Sequence, residues 1–253
     1  MLDNTAPTSA ALDRTALDDA LGLDGLALTE SGSSEPGPGP AGVEGATEGD
    51  DLSLIHRPET PEPFRVVVVS SADISRGPAV QRILKTRLRS LGVDAALVLS
   101  SAGTVAEGGQ PIHPFTARAL SELGTDPHGH QAHRLTERRL VQADLILAVS
   151  REQRLRAADL RPGVHERTFT VIEFARLAAA AGSSERDPRR LVAELAGLRD
   201  SVRPVDPGED DLEDPTAGTY RDHERVLRRV DHAVRDIARG LSASLVVSPE
   251  SGV

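Results

Sequence analysis

The fold is decided by the stretch RVVVVSSADISRGPAV, residues 65–80. It opens with Arg65 and four valines (RVVVV, residues 65–69), and such a β-branched run predicts a buried strand. A helix is predicted to begin at Arg76 and to end at Gly92. Its apolar side chains share one face: Val80, Ile83, Leu84, Leu88 and Leu91. The residues that join the strand to the helix are called loop 70–76, and they contain most of the candidate functional residues.

The chain after this unit continues to alternate between strand and helix patterns. Further strands are predicted over 94–100, 144–149 and 167–171, and helices over 114–124, 151–160, 172–181, 187–199 and 219–243, with a short helix capped by Thr136. Alternating strands and helices predict a parallel sheet with helices on both faces. We therefore expect an α/β three-layer sandwich around a central four-stranded parallel sheet, with its ligand site at the carboxyl ends of the strands.

The composition excludes several classes of function. The 253 residues include four Phe, one Tyr, no Trp and no Cys. Without cysteine there is no disulfide, no thiolate metal site and no cysteine nucleophile. Long apolar runs and a secretory signal are both missing, so we expect a cytoplasmic protein that does not enter a membrane. The folded part has no basic excess and few aromatic residues, so we expect no nucleic-acid partner.

The charge is concentrated at the start of the chain. Residues 1–63 hold 13 acidic residues against two arginines. A segment this rich in acids, Gly, Pro and Ser is typical of disordered chain. The sequence therefore predicts three parts: a disordered acidic tail and linker (1–63), a folded domain (64–246) and a flexible C-terminus (247–253). The tail is interpreted either as a solubilising segment or as a docking peptide for a basic partner.

Loop 70–76 has the pattern of an anion-binding turn. A buried strand, a tight turn and a helix start bring backbone N–H groups together at the positive end of the helix dipole. Arg76 stands at the end of the turn, where its guanidinium is placed to hold a tetrahedral oxyanion with two hydrogen bonds. The alternative from these residues alone is an ordinary strand-to-helix connection with a surface arginine.

The loop also resembles the V-C-x-G-N-x-C-R-S-P signature of the low-molecular-weight protein tyrosine phosphatases. Val69, Arg76 and Pro78 are unchanged, and Ser70 stands where the family has its nucleophilic cysteine. Four further stretches match family motifs in the family's order: Ser101–Thr104, Gly124–Thr136, Ala143–Val149 and Asp214-Pro215. The resemblance covers about residues 64–243, and it implies a phosphatase-I-like fold.

The resemblance also implies a chemistry for the site. In the family a thiolate attacks phosphotyrosine, the loop holds the phosphate oxygens, and an aspartate protonates the leaving phenol. Carried over, this puts Ser70 at the nucleophile position, Arg76 at the phosphate clamp and Asp214 at the general acid. The phosphate-binding residues would be Ser71, Ala72, Asp73, Ile74, Ser75 and Arg76. No cofactor and no metal are implied.

This chain departs from the family pattern at the residues that carry out the attack. The clear departures in the loop are Ser70, Ala72, Asp73, Ser75 and Gly77. A serine hydroxyl ionises far less readily than a thiol, and no base is placed beside it by the sequence. We expect Asp73 to repel an anion, and Ala72 to resist a positive φ angle. Thr216 replaces the aromatic residue that commonly follows the family's Asp-Pro pair.

Three hypotheses are compatible with this pattern. The first is a catalytically silent phosphatase-like domain that binds inorganic phosphate or a phosphotyrosine protein. The second is a working phosphatase with Ser70 as nucleophile and Asp214 as acid. The third is a scaffold that acts through its acidic tail. His130 is expected to tie loops together, and the spacing of His128, His130 and His133 does not favour a metal site.

Overall fold

The computed structural model describes residues 62–203 and 206–245. The predicted acidic tail lies almost entirely outside these residues, and so does the predicted flexible C-terminus over 247–253. The predicted division into three parts therefore stays a prediction.

Four parallel strands form the central sheet in the described part of the chain. They are β1 (Phe64–Ser70), β2 (Leu97–Gly103), β3 (Leu145–Ala148) and β4 (Thr168–Thr170), in the order β2-β1-β3-β4. All three neighbouring pairs are parallel. Strand β1 is central, and its last residue, Ser70, is in register with Gly103 of β2. The carboxyl end of β1 is thus surrounded by its neighbours, as the predicted site requires.

Seven α-helices within residues 62–203 and 206–245 cover the two faces of the sheet. They are α1 (Arg76–Ser90), α2 (Pro114–Glu122), α3 (Glu137–Gln142), α4 (Arg151–Leu160), α5 (Val171–Ala181), α6 (Pro188–Gly197) and α7 (Tyr220–Leu245). The larger apolar core joins one face of the sheet to α1, α2, α5, α6 and α7. The smaller core joins the opposite face to α3 and α4. The predicted three-layer α/β sandwich is confirmed.

The valine run of β1 is explained by this arrangement. Val66 and Val68 belong to the larger core, whereas Val67 and Val69 belong to the smaller one. Successive side chains of a strand point to opposite faces, so a strand buried on both sides is apolar throughout. This double burial fixes the position of loop 70–76 at the end of β1.

Two local predictions were wrong. The second strand begins at Leu97 rather than at Asp94, because residues Asp94–Ala96 form a 3₁₀ turn. Leu91 does not belong to the buried face of α1: it lies just after the last turn of the helix and is 52% exposed.

In the described part of the chain, no helix combines the length and the apolar character needed to cross a membrane. The predicted cytoplasmic location stays a prediction.

Candidate oxyanion site

Loop 70–76 connects β1 directly to α1. The backbone N–H groups of residues 71–76 donate no hydrogen bond to any described residue. The two carbonyls at the start of the loop are bonded, since Ser70 O accepts from Thr104 N at 2.9 Å and Ser71 O from Val105 N at 3.0 Å. Backbone N–H groups rarely stay without an acceptor inside a fold. Six successive N–H groups of this kind beside a helix start are typical of anion-binding turns.

A small cavity of about 110 Å³ lies in the loop. It is lined by every residue from Ser70 to Arg76 and, on its outer side, by Asp214 and Thr216. Pockets for drug-sized ligands run to about 300–1,000 Å³. The cavity therefore matches a compact group such as a tetrahedral oxyanion, with any larger group of the ligand lying outside it.

Ser70 lies at the bottom of this cavity. The residue is 3% exposed, and its Oγ has no hydrogen-bond partner among the described residues. No histidine or carboxylate of the described residues is therefore hydrogen-bonded to this hydroxyl. Ser70 and loop residues 71–76 line the same cavity.

Gly77 makes room for the Ser70 hydroxyl. A Cβ atom at position 77 would lie 2.5 Å from Ser70 Oγ and 3.0 Å from Asp73 Oδ1. The family's serine at this position therefore does not fit beside these two side chains as they are placed. The change to Gly77 and the presence of Ser70 and Asp73 are linked by packing.

Asp73 differs from the sequence-based expectation. It is the one non-glycine residue with a positive φ angle, 57°, in the described part of the chain. The residue with the positive φ is therefore Asp73, a residue type that tolerates this conformation. Ala72 does not have a positive φ. The Asp73 side chain is buried and accepts from His133 N at 3.0 Å. Burial raises the pKa of Asp73, against the opposing effects of His133 and Ser101.

Neighbouring elements hold the loop from outside. His130 Nε2 lies 2.7 Å from Asp73 O, which fits the predicted structural role of this histidine. Gly103, at the end of β2, packs so closely that a Cβ atom there would lie 2.3 Å from Ser71 O. The shape of the loop therefore depends on side chains and backbone from several parts of the chain.

Arg76 and Asp214 meet at the rim of the cavity. Arg76 Nη1 donates to Leu212 O at 2.9 Å, and Arg76 Nη2 donates to Asp214 Oδ2. The Arg76 side chain is only 9% exposed, whereas that of Asp214 is 44% exposed. Burial lowers the pKa of Arg76, and Asp214 opposes this effect. Asp214 is therefore paired with a specific arginine, unlike an acid that is only solvated.

The other oxygen of Asp214 is also engaged. Asp214 Oδ1 accepts from Thr216 Oγ1 at 2.8 Å and from Thr216 N at 3.1 Å. Thr216, which replaces the aromatic residue common in the family, lines the cavity. Its two hydrogen bonds hold the Asp214 carboxylate in place. Both oxygens of Asp214 therefore accept hydrogen bonds, Oδ1 from Thr216 and Oδ2 from Arg76.

Two residues below the loop gave no signal in the sequence. Ser75 Oγ lies 2.8 Å from Thr116 Oγ1 of α2, which lies 2.8 Å from His223 Nδ1 of α7. All three residues are buried. Thr116 and His223 could not be linked to the loop in advance, because the three residues come from separate elements and match no motif.

The three histidines considered as metal ligands do not gather into one site. His128 Nδ1 pairs with Asp126 Oδ1 at 2.8 Å, and His130 is engaged by Asp73. Residues 62–203 and 206–245 contain no group of three or more His, Asp or Glu side chains suited to holding a metal.

Comparison with known proteins adds a family assignment. The model of the family described as low molecular weight phosphotyrosine protein phosphatase matches residues 65–194. A search of curated proteins gives no match.

Solved structures of similar fold include the following three. The low molecular weight protein tyrosine phosphatase from T. tengcongensis has 22% identity and a TM-score of 0.54, covering 70% of this chain and 98% of its own. Vibrio vulnificus Wzb in complex with benzylphosphonate has 19% identity and a TM-score of 0.51, covering 70% and 97%. A Cys-to-Ser mutant of the YwlE arginine phosphatase, with a phosphorylated active-site serine, has 20% identity and a TM-score of 0.54, covering 70% and 95%.

Proposed function

Since the chain belongs to the low molecular weight phosphotyrosine protein phosphatase family, we propose that it binds phosphate groups without hydrolysing them. The ligand would be inorganic phosphate or the phosphotyrosine of a partner protein, held in loop 70–76. The observation that carries this proposal is the run of N–H groups at residues 71–76 that donate to no described residue around a cavity of about 110 Å³.

The charges around the cavity support anion binding. The Arg76 guanidinium closes one side, and the start of α1 contributes the positive end of a 15-residue helix dipole. Asp73, the acid inside the loop, has a pKa raised by burial. Vibrio vulnificus Wzb, which shares the fold, holds benzylphosphonate. An aryl phosphate is therefore the ligand class to test first.

The reacting atoms argue against turnover. A serine nucleophile needs a base to take its proton, and Ser70 Oγ has no partner among the described residues. The candidate acid, Asp214, accepts hydrogen bonds from Arg76 and Thr216. The loop N–H groups that donate to no described residue support binding, whereas no contact of Ser70 Oγ with these residues supports the first chemical step.

The proposal is tested by measuring binding and turnover on the same protein. Phosphate and vanadate should raise the melting temperature, because a ligand that binds only the native state stabilises it. Steady-state hydrolysis of p-nitrophenyl phosphate should stay at the level of buffer. Arg76→Gln should abolish the thermal shift, whereas Arg156→Gln, an exposed arginine on α4, should leave it unchanged.

Two outcomes would contradict the proposal. If millimolar phosphate and vanadate leave the melting temperature unchanged, the scaffold hypothesis is favoured instead. If the purified protein turns over the ester and Ser70→Ala abolishes that turnover, the domain is an enzyme.

A second candidate function is phosphoryl transfer to Ser70. The YwlE arginine phosphatase variant favours it, since that protein carries a phosphorylated serine in its active site. In such a step the Ser70 Oγ–P bond forms, the bond from phosphorus to the leaving group breaks, and the hydroxyl proton leaves with that group. The products are phosphoserine at position 70 and the free alcohol or phenol.

This candidate makes a separate prediction. Incubation with an aryl phosphate should add one phosphoryl group to the intact protein, located at Ser70 by tandem mass spectrometry. Ser70→Ala should prevent the addition, and Asp214→Asn should slow it if Asp214 serves as the acid. An unmodified protein after prolonged incubation would rule this candidate out and leave the binding proposal standing.

A further inference from the structure

A buried chain of hydrogen bonds connects the last helix to loop 70–76. His223, in the first turn of α7, lies with Nδ1 2.8 Å from Thr116 Oγ1, which lies 2.8 Å from Ser75 Oγ. Ser75 caps α1 and lines the cavity. The imidazole of His223 is therefore two hydroxyl groups away from the space in which an oxyanion would bind.

The hydrogen on His223 Nδ1 sets the direction of this chain: the neutral ring can leave Nδ1 without a hydrogen, whereas the charged ring always carries one there. If Nδ1 is unprotonated, it accepts from Thr116, whose oxygen then accepts from Ser75. If Nδ1 carries a proton, it donates to Thr116, and Thr116 donates to Ser75. Each hydroxyl has only one hydrogen to donate. In the second arrangement the Ser75 hydrogen is released, and an oxyanion in the cavity becomes an acceptor for it.

The protonation of the His223 imidazole depends on the residues around it. Its Nε2 is buried with no partner among the described residues. The ring stacks on His113, with 4.5 Å between ring centroids. Burial and then His113 lower the pKa of His223, while Asp214 in the segment before α7 and Asp222 on α7 itself act in the opposite direction.

The same residues reach the loop by a second route. His113, which stacks on His223, donates from its backbone N to Ile74 O at 2.7 Å. Asp214, which acts on His223, holds Arg76. His223 is thus linked through His113 and Asp214 to Ile74 and Arg76, which lie in the second half of loop 70–76.

We propose that His223 is a positioning residue whose protonation strengthens the binding of a tetrahedral oxyanion in loop 70–76, through Thr116 and Ser75. The inference rests on the proposed oxyanion binding and adds a mode of regulation to it. The affinity rises as the pH falls, because the protonated imidazole releases the Ser75 hydrogen and adds a positive charge near the anion.

The test measures sulfate binding by calorimetry as a function of pH. Sulfate is the suitable probe because its charge stays constant over the range of about pH 5 to about pH 8, in which histidine titrates. We expect the affinity of the unaltered protein to rise about tenfold on lowering the pH, the size of one hydrogen bond to a charged group. His223→Phe and Thr116→Val should each flatten this profile.

Two controls separate positioning from simple support of the fold. Thr116→Ser keeps the hydroxyl and should retain the pH profile, and His232→Gln removes an exposed histidine of the same helix and should retain it as well. A merely structural role would lower the affinity equally at all pH values. If His223→Phe or a folded Thr116→Val variant keeps the full profile, the inference is wrong and oxyanion binding stands. If the unaltered protein binds no sulfate at any pH, both proposals fall.

Discussion

Arg76 and Asp214 form an ion pair at the rim of the cavity, although they are 138 residues apart in the chain. The pair joins the start of α1 to the segment before α7, and Leu212 O accepts a second hydrogen bond from the same guanidinium. Under the proposed function, an incoming oxyanion would share Arg76 with Asp214. The Asp214 carboxylate would then compete with the anion for the guanidinium.

The competition predicts the effect of Asp214→Asn. Removing the charge should increase the affinity for sulfate by about two- to fivefold, the range of a partly exposed ion pair. Calorimetric titration at neutral pH measures this directly. Glu213→Gln, an exposed neighbour that pairs with Arg225, should leave the affinity unchanged. A weaker affinity in Asp214→Asn would show that the pair is needed to hold the loop instead.

Ser70→Cys should create a phosphatase. A thiol at this position would line the same cavity as Arg76 and the start of α1, and a cation and a helix N-terminus lower a thiol pKa and favour the thiolate. Hydrolysis of p-nitrophenyl phosphate should rise at least about a hundredfold above the unaltered protein. Ser71→Cys places the same group one residue further along the loop and should stay inactive. Lack of activity in a folded Ser70→Cys variant would mean that the loop does not present a substrate to position 70.

Gly77→Ala should destabilise the fold through Ser70. The added Cβ lies 2.5 Å from Ser70 Oγ, and overpacking of this kind costs about 1–3 kcal/mol of unfolding free energy. Urea denaturation measures the loss. The double variant Ser70→Ala, Gly77→Ala should recover part of it, since it removes the atom that clashes. The control is Gly197→Ala, where no atom outside the local helix backbone and adjoining residues lies within 4 Å of the added Cβ. Strictly additive effects of the changes at 70 and 77 would contradict the packing argument.

Asp73→Asn should stabilise the protein at neutral pH. Burial raises the pKa of Asp73 in the folded state. The folded protein then binds this proton more tightly than the unfolded chain, so the contribution of Asp73 to stability is lost as the pH rises through its folded pKa. The stability of the two proteins should therefore converge as the pH falls. The control is Asp159→Asn, at an exposed acid of α4, whose stability relative to the unaltered protein should not change with pH. Equal stabilities for Asp73→Asn and the unaltered protein at all pH values would refute this account.

The fold was predictable because its signals are local. The valine run, the helix faces and the glycine stops each depend on neighbours within one turn or one strand. Val226, Leu227, Val230, Val234 and Ile237 are all buried on α7, as their spacing indicated. The burial of β1 on both faces was predictable from composition alone.

The details of the site were less predictable because they depend on contacts across the chain. Ser70, Arg76 and Asp214 are separate matches to motifs in the sequence, and only the fold shows that Asp214 engages Arg76. Asp73 was expected to present its charge to an anion, whereas the backbone turn at that residue directs the side chain inward. Thr116 and His223 could not be recognised in the sequence, because a single Thr and a single His match no motif. Only the packing of α2 and α7 beside the loop brings them into contact with Ser75.

Thr104, Val105, His113 and His133 hold three carbonyls and one side chain of loop 70–76 in place. A preorganised receptor loses little conformational entropy when it binds. Association with a phosphate group should therefore require no backbone rearrangement, and its affinity should reflect the contacts themselves. Substitutions in the supporting residues, remote from the ligand, are then expected to weaken binding by restoring the freedom that the loop has lost.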